Sequence, residues 1–245
     1  MLELGSLELG RVPRIAVPFS DAAQELAISD AARNGLDIAE IRVDKFSQVG
    51  ARYVRSVLPR FRHLPTIATV RAQREGGSWE GTEADRLSLY LDILPDVDAV
   101  DVELAASEVL PVVANAVRSS QKLLIVSYHD FVGTPDTARL GQIANDAVAA
   151  GADIVKIAAL PANRADLHAL AAFCCNHADK HLIVIGMGGC GLPTRLLWPA
   201  LGSLVTFASI GEPMAPGQLP FEEMFGLMRK LYPEFDDEKR SRTGR

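Results

Sequence analysis

Two apolar runs carry an ionisable side chain where a buried strand would ordinarily place a valine: His129 in LLIVSYHDF, residues 123–131, and Lys156 in GADIVKIAAL, residues 151–160. A lysine in such a run either meets a counter-ion or has its ammonium form disfavoured, because burying an isolated charge is costly. In its neutral form it is a nucleophile that can form an imine with a carbonyl. An imine makes the neighbouring carbon acidic, and a histidine on the next strand is a suitable base near neutral pH. The pair therefore points to proton abstraction beside a carbonyl, leading to elimination or aldol chemistry. The plainer readings are an ion-paired lysine and a histidine that only hydrogen-bonds at a strand end.

Other strand ends carry chemistry-bearing groups as well. Glu40 and Arg42 lie two apart and so share a face, and Arg71, Glu103, His129 and Lys156 end later strands. In TVRAQREGG, Glu75 follows Arg71 and precedes Gly76 and Gly77, where it can orient a histidine. The glycines of GMGGCG, residues 186–191, suit a phosphate cradle only weakly, whereas the fork of Arg195 fits a carboxylate in two bonds. Cys174, His177 and His181 have a superficially metal-like spacing but straddle a helix end and a strand start, so no metal is expected.

These side chains need elements that bring them together. Apolar β-type runs occur at residues 14–19, 37–44, 65–72, 97–104, 122–130, 153–160, 181–188 and 204–209, separated by segments of helical spacing. Helix signals agree: Ser20 and Asp21 precede AAQELAISDAARNG, and TPDTARLGQIANDAVAAG opens at Thr134-Pro135 and closes at Gly151. Eight strand–helix units in a chain of 245 residues match a single-domain α/β fold, a (β/α)8 TIM barrel, better than an open doubly wound sheet. The C-terminal ends of barrel strands ring the mouth, which converts scattered strand ends into one site. The barrel is expected over residues 1–232, with the charged, apolar-poor segment 233–245 fraying.

Composition narrows the function. With 48% hydrophobic residues the chain can bury a large core. A net charge of −6, with the basic residues scattered, argues against nucleic acid as a partner. The opening MLELGSLELGRVPR lacks the pattern of a signal peptide, and no apolar run approaches membrane-spanning length, so no membrane association and a cytoplasmic location are expected. Three cysteines, Cys174, Cys175 and Cys190, suggest core packing instead of disulfides.

In order, EIRVD, TVRAQREGG, VDAVDVEL, SYHDF, GADIVKIA, LGSLVTFAS and APGQ resemble the type I 3-dehydroquinate dehydratases, over roughly residues 8–228. The resemblance implies a homodimeric barrel without metal or cofactor that converts 3-dehydroquinate to 3-dehydroshikimate in the shikimate pathway. It implies that Lys156 forms the imine, that His129 is the base and then the acid of a syn elimination, and that Glu75 holds its imidazole. It assigns Glu40, Arg42 and Arg71 to the ring hydroxyls and Arg195 and Gln218 to the substrate carboxylate and a closing lid. Two substrate-facing segments depart from the family: Met214 stands where a serine is common, and the segment before Arg195 reads MGGCGLPTR, unlike the family's usual version. The rival readings are a class I aldolase, whose motifs SYHDF does not match, and a non-catalytic barrel that binds pathway metabolites.

Overall fold

In the computed structural model, which describes residues 2–243, the chain opens with an antiparallel hairpin of β1 (Leu2–Leu4) and β2 (Leu7–Leu9). Its turn needs Gly5, whose φ of +57° is a backbone region that side chains disfavour. Leu4, Leu7 and Leu9 share one buried face and pack on Ile38, Ile67, Ile125 and Ile154 at the N-terminal ends of the later strands, closing the barrel's lower end. Strands of three residues are too short to display a period, and the sequence reading did not anticipate this plug.

Eight parallel strands follow: β3 (Arg14–Phe19), β4 (Ile38–Arg42), β5 (Thr66–Thr69), β6 (Ala99–Glu103), β7 (Leu123–Asp130), β8 (Ile154–Ala159), β9 (Leu182–Gly186) and β10 (Val205–Phe207). Each lies within an expected run. Between and after them come α1 (Glu25–Arg33), α2 (Ala51–Val57), α3 (Glu83–Ile93), α4 (Leu110–Ser120), α5 (Thr137–Ala149), α6 (Arg164–Asn176), α7 (Gly188–Leu197) and α8 (Phe221–Leu231). Sheet order is β10-β3-β4-β5-β6-β7-β8-β9. The seam between β9 and β10 is closed by the Leu182–Ser203 bridge, with the Leu204 N–H donating to the Leu182 carbonyl at 2.8 Å. The molecule is a (β/α)8 barrel.

Strand alternation divides the residues between two cores. Outward positions such as Ala39, Ile41, Val100, Val102, Val126 and Val155 pack beneath the helices. Inward positions are apolar at the bottom and polar higher up: β4 runs Ile38, Glu40, Arg42, β6 runs Ala99, Asp101, Glu103, and β8 runs Ile154, Lys156, Ala158. Parallel register brings Thr69 level with Asp101, and Ser127 level with Lys156.

Helix starts differ from the sequence signals by a few residues, for identifiable reasons. Asp136, not Thr134, caps α5 by accepting the Arg139 N–H at 2.8 Å. Asp21 does not cap α1: its carboxylate accepts from the Ser47 N–H at 2.9 Å and the Tyr53 hydroxyl at 2.8 Å, tying two loops together.

The expected frayed tail is corrected over the described residues. Pro233–Thr243 forms α9, which docks across the lower end of the barrel. Phe235 is fully buried against Phe225, and Lys239 donates to the Gly35 carbonyl at 2.8 Å and pairs with Asp37. Glu238 pairs with the buried Arg14 and with Arg11. One aromatic anchor and matched buried charges hold a segment whose composition alone reads as solvated.

Candidate active site

Glu40, Arg42, Arg71, Glu75, His129, Lys156, Arg195, Met214 and Gln218 line one cavity at the C-terminal ends of the strands, about 570 Å³ with the open space at its mouth included. Of the strand-end and loop residues singled out from the sequence, all but Glu103 therefore converge. Pro18, Gly76, Phe131, Ala158, Ile185, Met187, Phe207 and Ala215 complete the lining.

At the base of the cavity Lys156 is buried, and its Nζ donates to Asp101 Oδ2 at 2.8 Å and to Glu40 Oε1 at 3.3 Å. The same Nζ stands 4.5 Å from the centroid of the Phe207 ring. Of the two readings left open for this lysine, the ligand-free structure shows the counter-ion: the side chain has carboxylate partners. Asp101, which the sequence reading passed over, is the centre of this network. Its Oδ1 accepts from Arg71 Nη2 at 2.8 Å and from the Ser127 hydroxyl at 2.6 Å. Burial works against its charge, but Arg71 and Lys156 hold the carboxyl well below the ordinary range. The available signal was its place two residues before Glu103, on the same strand face.

Glu103 was expected among the converging groups, and it does not line the cavity. Its carboxylate turns to Arg86, at 3.1 and 2.8 Å, and to the Ala72 N–H at 2.7 Å.

His129 is fixed by Glu75, whose Oε2 accepts from the histidine Nδ1 at 2.9 Å and from its backbone N–H at 3.1 Å. Nδ1 carrying that proton leaves Nε2 as the basic nitrogen. Burial, reinforced by the charges of Arg71 and Lys156, keeps the imidazole well below its usual pKa, so the ring is neutral. Burial also pushes the Glu75 carboxyl up to about 7, although the Arg71 guanidinium pulls the other way. Phe131 lies over the histidine, with rings 6.4 Å apart and inclined by 17°. Gly76 adopts φ of +75°, and the Phe131 ring occupies the space that a side chain would need there.

Arg42 is held by Asp44 in two bonds of 3.0 and 2.8 Å, and Asp44 also accepts the Ser78 N–H at 3.0 Å. Arg195 is different. It is 2% exposed, donates only to the Phe207 and Pro216 carbonyls at 3.2 and 3.0 Å, and its buried Nε has no hydrogen-bond partner among the described residues. Burial lowers its pKa to about 10, which still leaves it charged near neutral pH. A buried guanidinium facing a cavity without a carboxylate of its own is a site for an anion.

The loop from Ser209 to Gln218 covers this side of the cavity. Gln218 Oε1 accepts the N–H groups of Met214 and Ala215, at 2.8 and 3.2 Å, and Pro216 O accepts the Gly188 N–H at 3.1 Å. That last bond engages one of the donors that a phosphate cradle in GMGGCG would use. Gly186 and Gly191 instead permit close packing of α7 on β9, because a Cβ on Gly191 would overlap the Gly186 backbone.

The sequence of residues 15–233 matches the family model described as type I 3-dehydroquinase. The chain belongs to the type I 3-dehydroquinase family. It is 37% identical over 235 residues to a 3-dehydroquinate dehydratase of Methanococcoides burtonii, covering 94% of this chain and 100% of the relative. Among solved structures, the 3-dehydroquinate dehydratase of Geobacillus kaustophilus HTA426 superposes with a TM-score of 0.85 at 30% identity, covering 91% of this chain and 92% of that one. The type I enzyme of Clostridium difficile superposes with a TM-score of 0.86 at 29% identity, covering 95% and 98% of the respective chains. The fold and the full length of the barrel are thus shared with this family.

Proposed function

We propose that the chain dehydrates 3-dehydroquinate to 3-dehydroshikimate by syn elimination through an imine on Lys156. The observation that carries this reading is the presence, in one cavity, of the Lys156 amine, the neutral His129 held by Glu75, and the anion-seeking Arg195. Arg195 binds the substrate carboxylate, with Gln218 in the covering loop, while Glu40, Arg42 and Arg71 take the ring hydroxyls.

The lysine ammonium and the C3 ketone together give one iminium and one water, so the positive charge at Nζ is the same before and after condensation. Asp101, 2.8 Å from that nitrogen, is therefore the counter-ion of both forms. His129 Nε2 takes the C2 proton, and the released electron pair forms the enamine. The resulting imidazolium is stabilised by the Glu75 carboxylate and gives its proton to the C1 hydroxyl, which leaves as water while the enamine returns to a conjugated iminium. Water then attacks C3 and frees the enone product and the lysine ammonium. The family resemblance further supports a homodimer, which sedimentation equilibrium tests.

Enzyme mixed with 3-dehydroquinate is expected to raise ultraviolet absorbance steadily as the conjugated enone accumulates. Borohydride added during turnover is expected to inactivate it and leave a ligand-derived mass on Lys156. A static absorbance would identify a binding protein, and a label on another lysine would overturn the assignment of Lys156.

A further inference from the structure

Arg86 and Glu103 are ionisable, fully buried and without a part in the reaction described above. Arg86 belongs to α3, outside the barrel, whereas Glu103 ends β6. Arg86 Nη1 donates to both Glu103 oxygens and, at 3.2 Å, to the Val70 carbonyl. Glu103 Oε1 accepts the Ala72 N–H at 2.7 Å. Residues 70 and 72 flank Arg71, so the ion pair grips the backbone on both sides of that arginine.

Glu103 also faces Arg71 directly, 3.6 Å from Nη1, within attraction but beyond a hydrogen bond. Arg71 instead donates to Asp101 at 2.8 Å and to Ser127 at 2.7 Å. Two guanidinium groups thus compete for one buried carboxylate, and Arg86 holds it with both oxygens engaged. A Glu103 without Arg86 would be a buried anion whose nearest remaining cation is Arg71. Arg71 moving toward it would leave Asp101 and loosen the carboxylate that holds Lys156.

We propose that Arg86 is a positioning residue for the reaction: by engaging Glu103 it keeps Arg71 on Asp101 and Ser127, and through Asp101 it keeps Lys156 in register with the cavity. The inference rests on the dehydratase reading. It also separates Arg86 from a residue that merely stabilises α3, because it assigns the damage from its loss to the freed charge of Glu103.

The test is the steady-state kinetics of wild type, Arg86→Gln, Glu103→Gln and the double variant, below the melting temperature of each, with borohydride labelling of Lys156 in parallel. Arg86→Gln is expected to lower kcat/KM on the order of 10²-fold, the scale for a displacement of about 1 Å at a reacting centre, and to slow labelling. Glu103→Gln can still accept the Ala72 N–H, and both it and the double variant are expected to stay within about threefold of wild type, because no charge is left to draw Arg71 away. Folded Arg86→Gln with wild-type kinetics would overturn the proposal. So would a loss in Glu103→Gln or in the double variant as large as that in Arg86→Gln. If Arg86→Gln does not fold, an active double variant supports the proposal and an inactive one overturns it. An inactive wild type would sink the dehydratase reading itself, whereas an active wild type matched by Arg86→Gln sinks only this inference.

Discussion

Replacing Glu75 by glutamine removes a charge while keeping an oxygen where His129 Nδ1 and its backbone N–H need one. In the folded protein burial raises the Glu75 carboxyl from 4.5 to about 7. A raised group favours folding fully below its unfolded pKa, and that contribution is lost as pH rises through the folded value. The rise corresponds to roughly 3 kcal/mol of stability missing at pH 8, an upper limit for a side chain so close to a charged neighbour. Glutamine has no charge to bury, so Glu75→Gln is expected to exceed wild type at pH 8 by up to about 3 kcal/mol, or ~6–12 °C in Tm. The two proteins are expected to converge near pH 4.5. His129 acts in the opposite sense, since a depressed imidazole stabilises above 6.5 and loses its contribution as pH falls, but it is present in both proteins. Activity moves against stability. A protonated Glu75 can donate to Nδ1 and force the ring proton onto Nε2, which removes the base. Wild-type kcat/KM is therefore expected to fall about tenfold per pH unit below about 7. The glutamine variant is expected to lack that limb and to be slower on the order of 10²-fold, having no carboxylate to stabilise the imidazolium. Thermal unfolding at pH 5 and pH 8, with enone absorbance across the same range, measures both. A stability difference that does not change with pH, or a wild-type limb near 4.5, would refute the reasoning.

Asp101→Asn removes the charged partner of Lys156 and Arg71; at roughly 1.5–3 kcal/mol for a hydrogen bond to a charged group, kcat is expected to fall about 10- to 150-fold, with less borohydride-trapped imine at saturating substrate. Turnover within threefold of wild type would exclude it as counter-ion. Met214→Ser offers the cavity a hydroxyl while leaving the Met214 N–H bond to Gln218 in place, so KM is expected to tighten by no more than about 2- to 12-fold, with kcat little changed. A change of 100-fold or more would mean that this position reads a different substrate group. Phe235→Ala empties a fully buried site under α9 and is expected to cost about 3–5 kcal/mol in denaturant unfolding, whereas a tail that contributed nothing to the fold would show no change.

The barrel was legible because parallel strands covered on both faces are near-continuous runs of β-branched residues, and each of the eight survives as a strand. His129 and Lys156 stood out because they break such runs. Asp101 breaks one too, in VDAVDVEL, but it shares that strand with Glu103, and sequence cannot say which acid meets Lys156 and which meets a helix outside the barrel. Thr69 and Ser127 were invisible for another reason: hydroxyl residues are ordinary in strands, and only register places one beside Glu40 and the other beside Asp101. The hairpin and α9 escaped because their anchoring is long-range. Lys239 meets Asp37 across most of the chain's length, a pairing with no local pattern to betray it.

That anchoring at the lower end bears on how the chain can be joined to something else. Arg11 and Glu238 touch, so the first and last stretches of the chain meet on the side away from the substrate entrance. A peptide bridging the segments of Arg11 and Glu238 in a circular permutant opened at an upper loop would leave the cavity unobstructed. The same arrangement makes trimming unsafe: deletion from Pro233 onward would expose Phe225 and strip Arg14 and Asp37 of their partners on α9, beneath the strands that carry the chemistry.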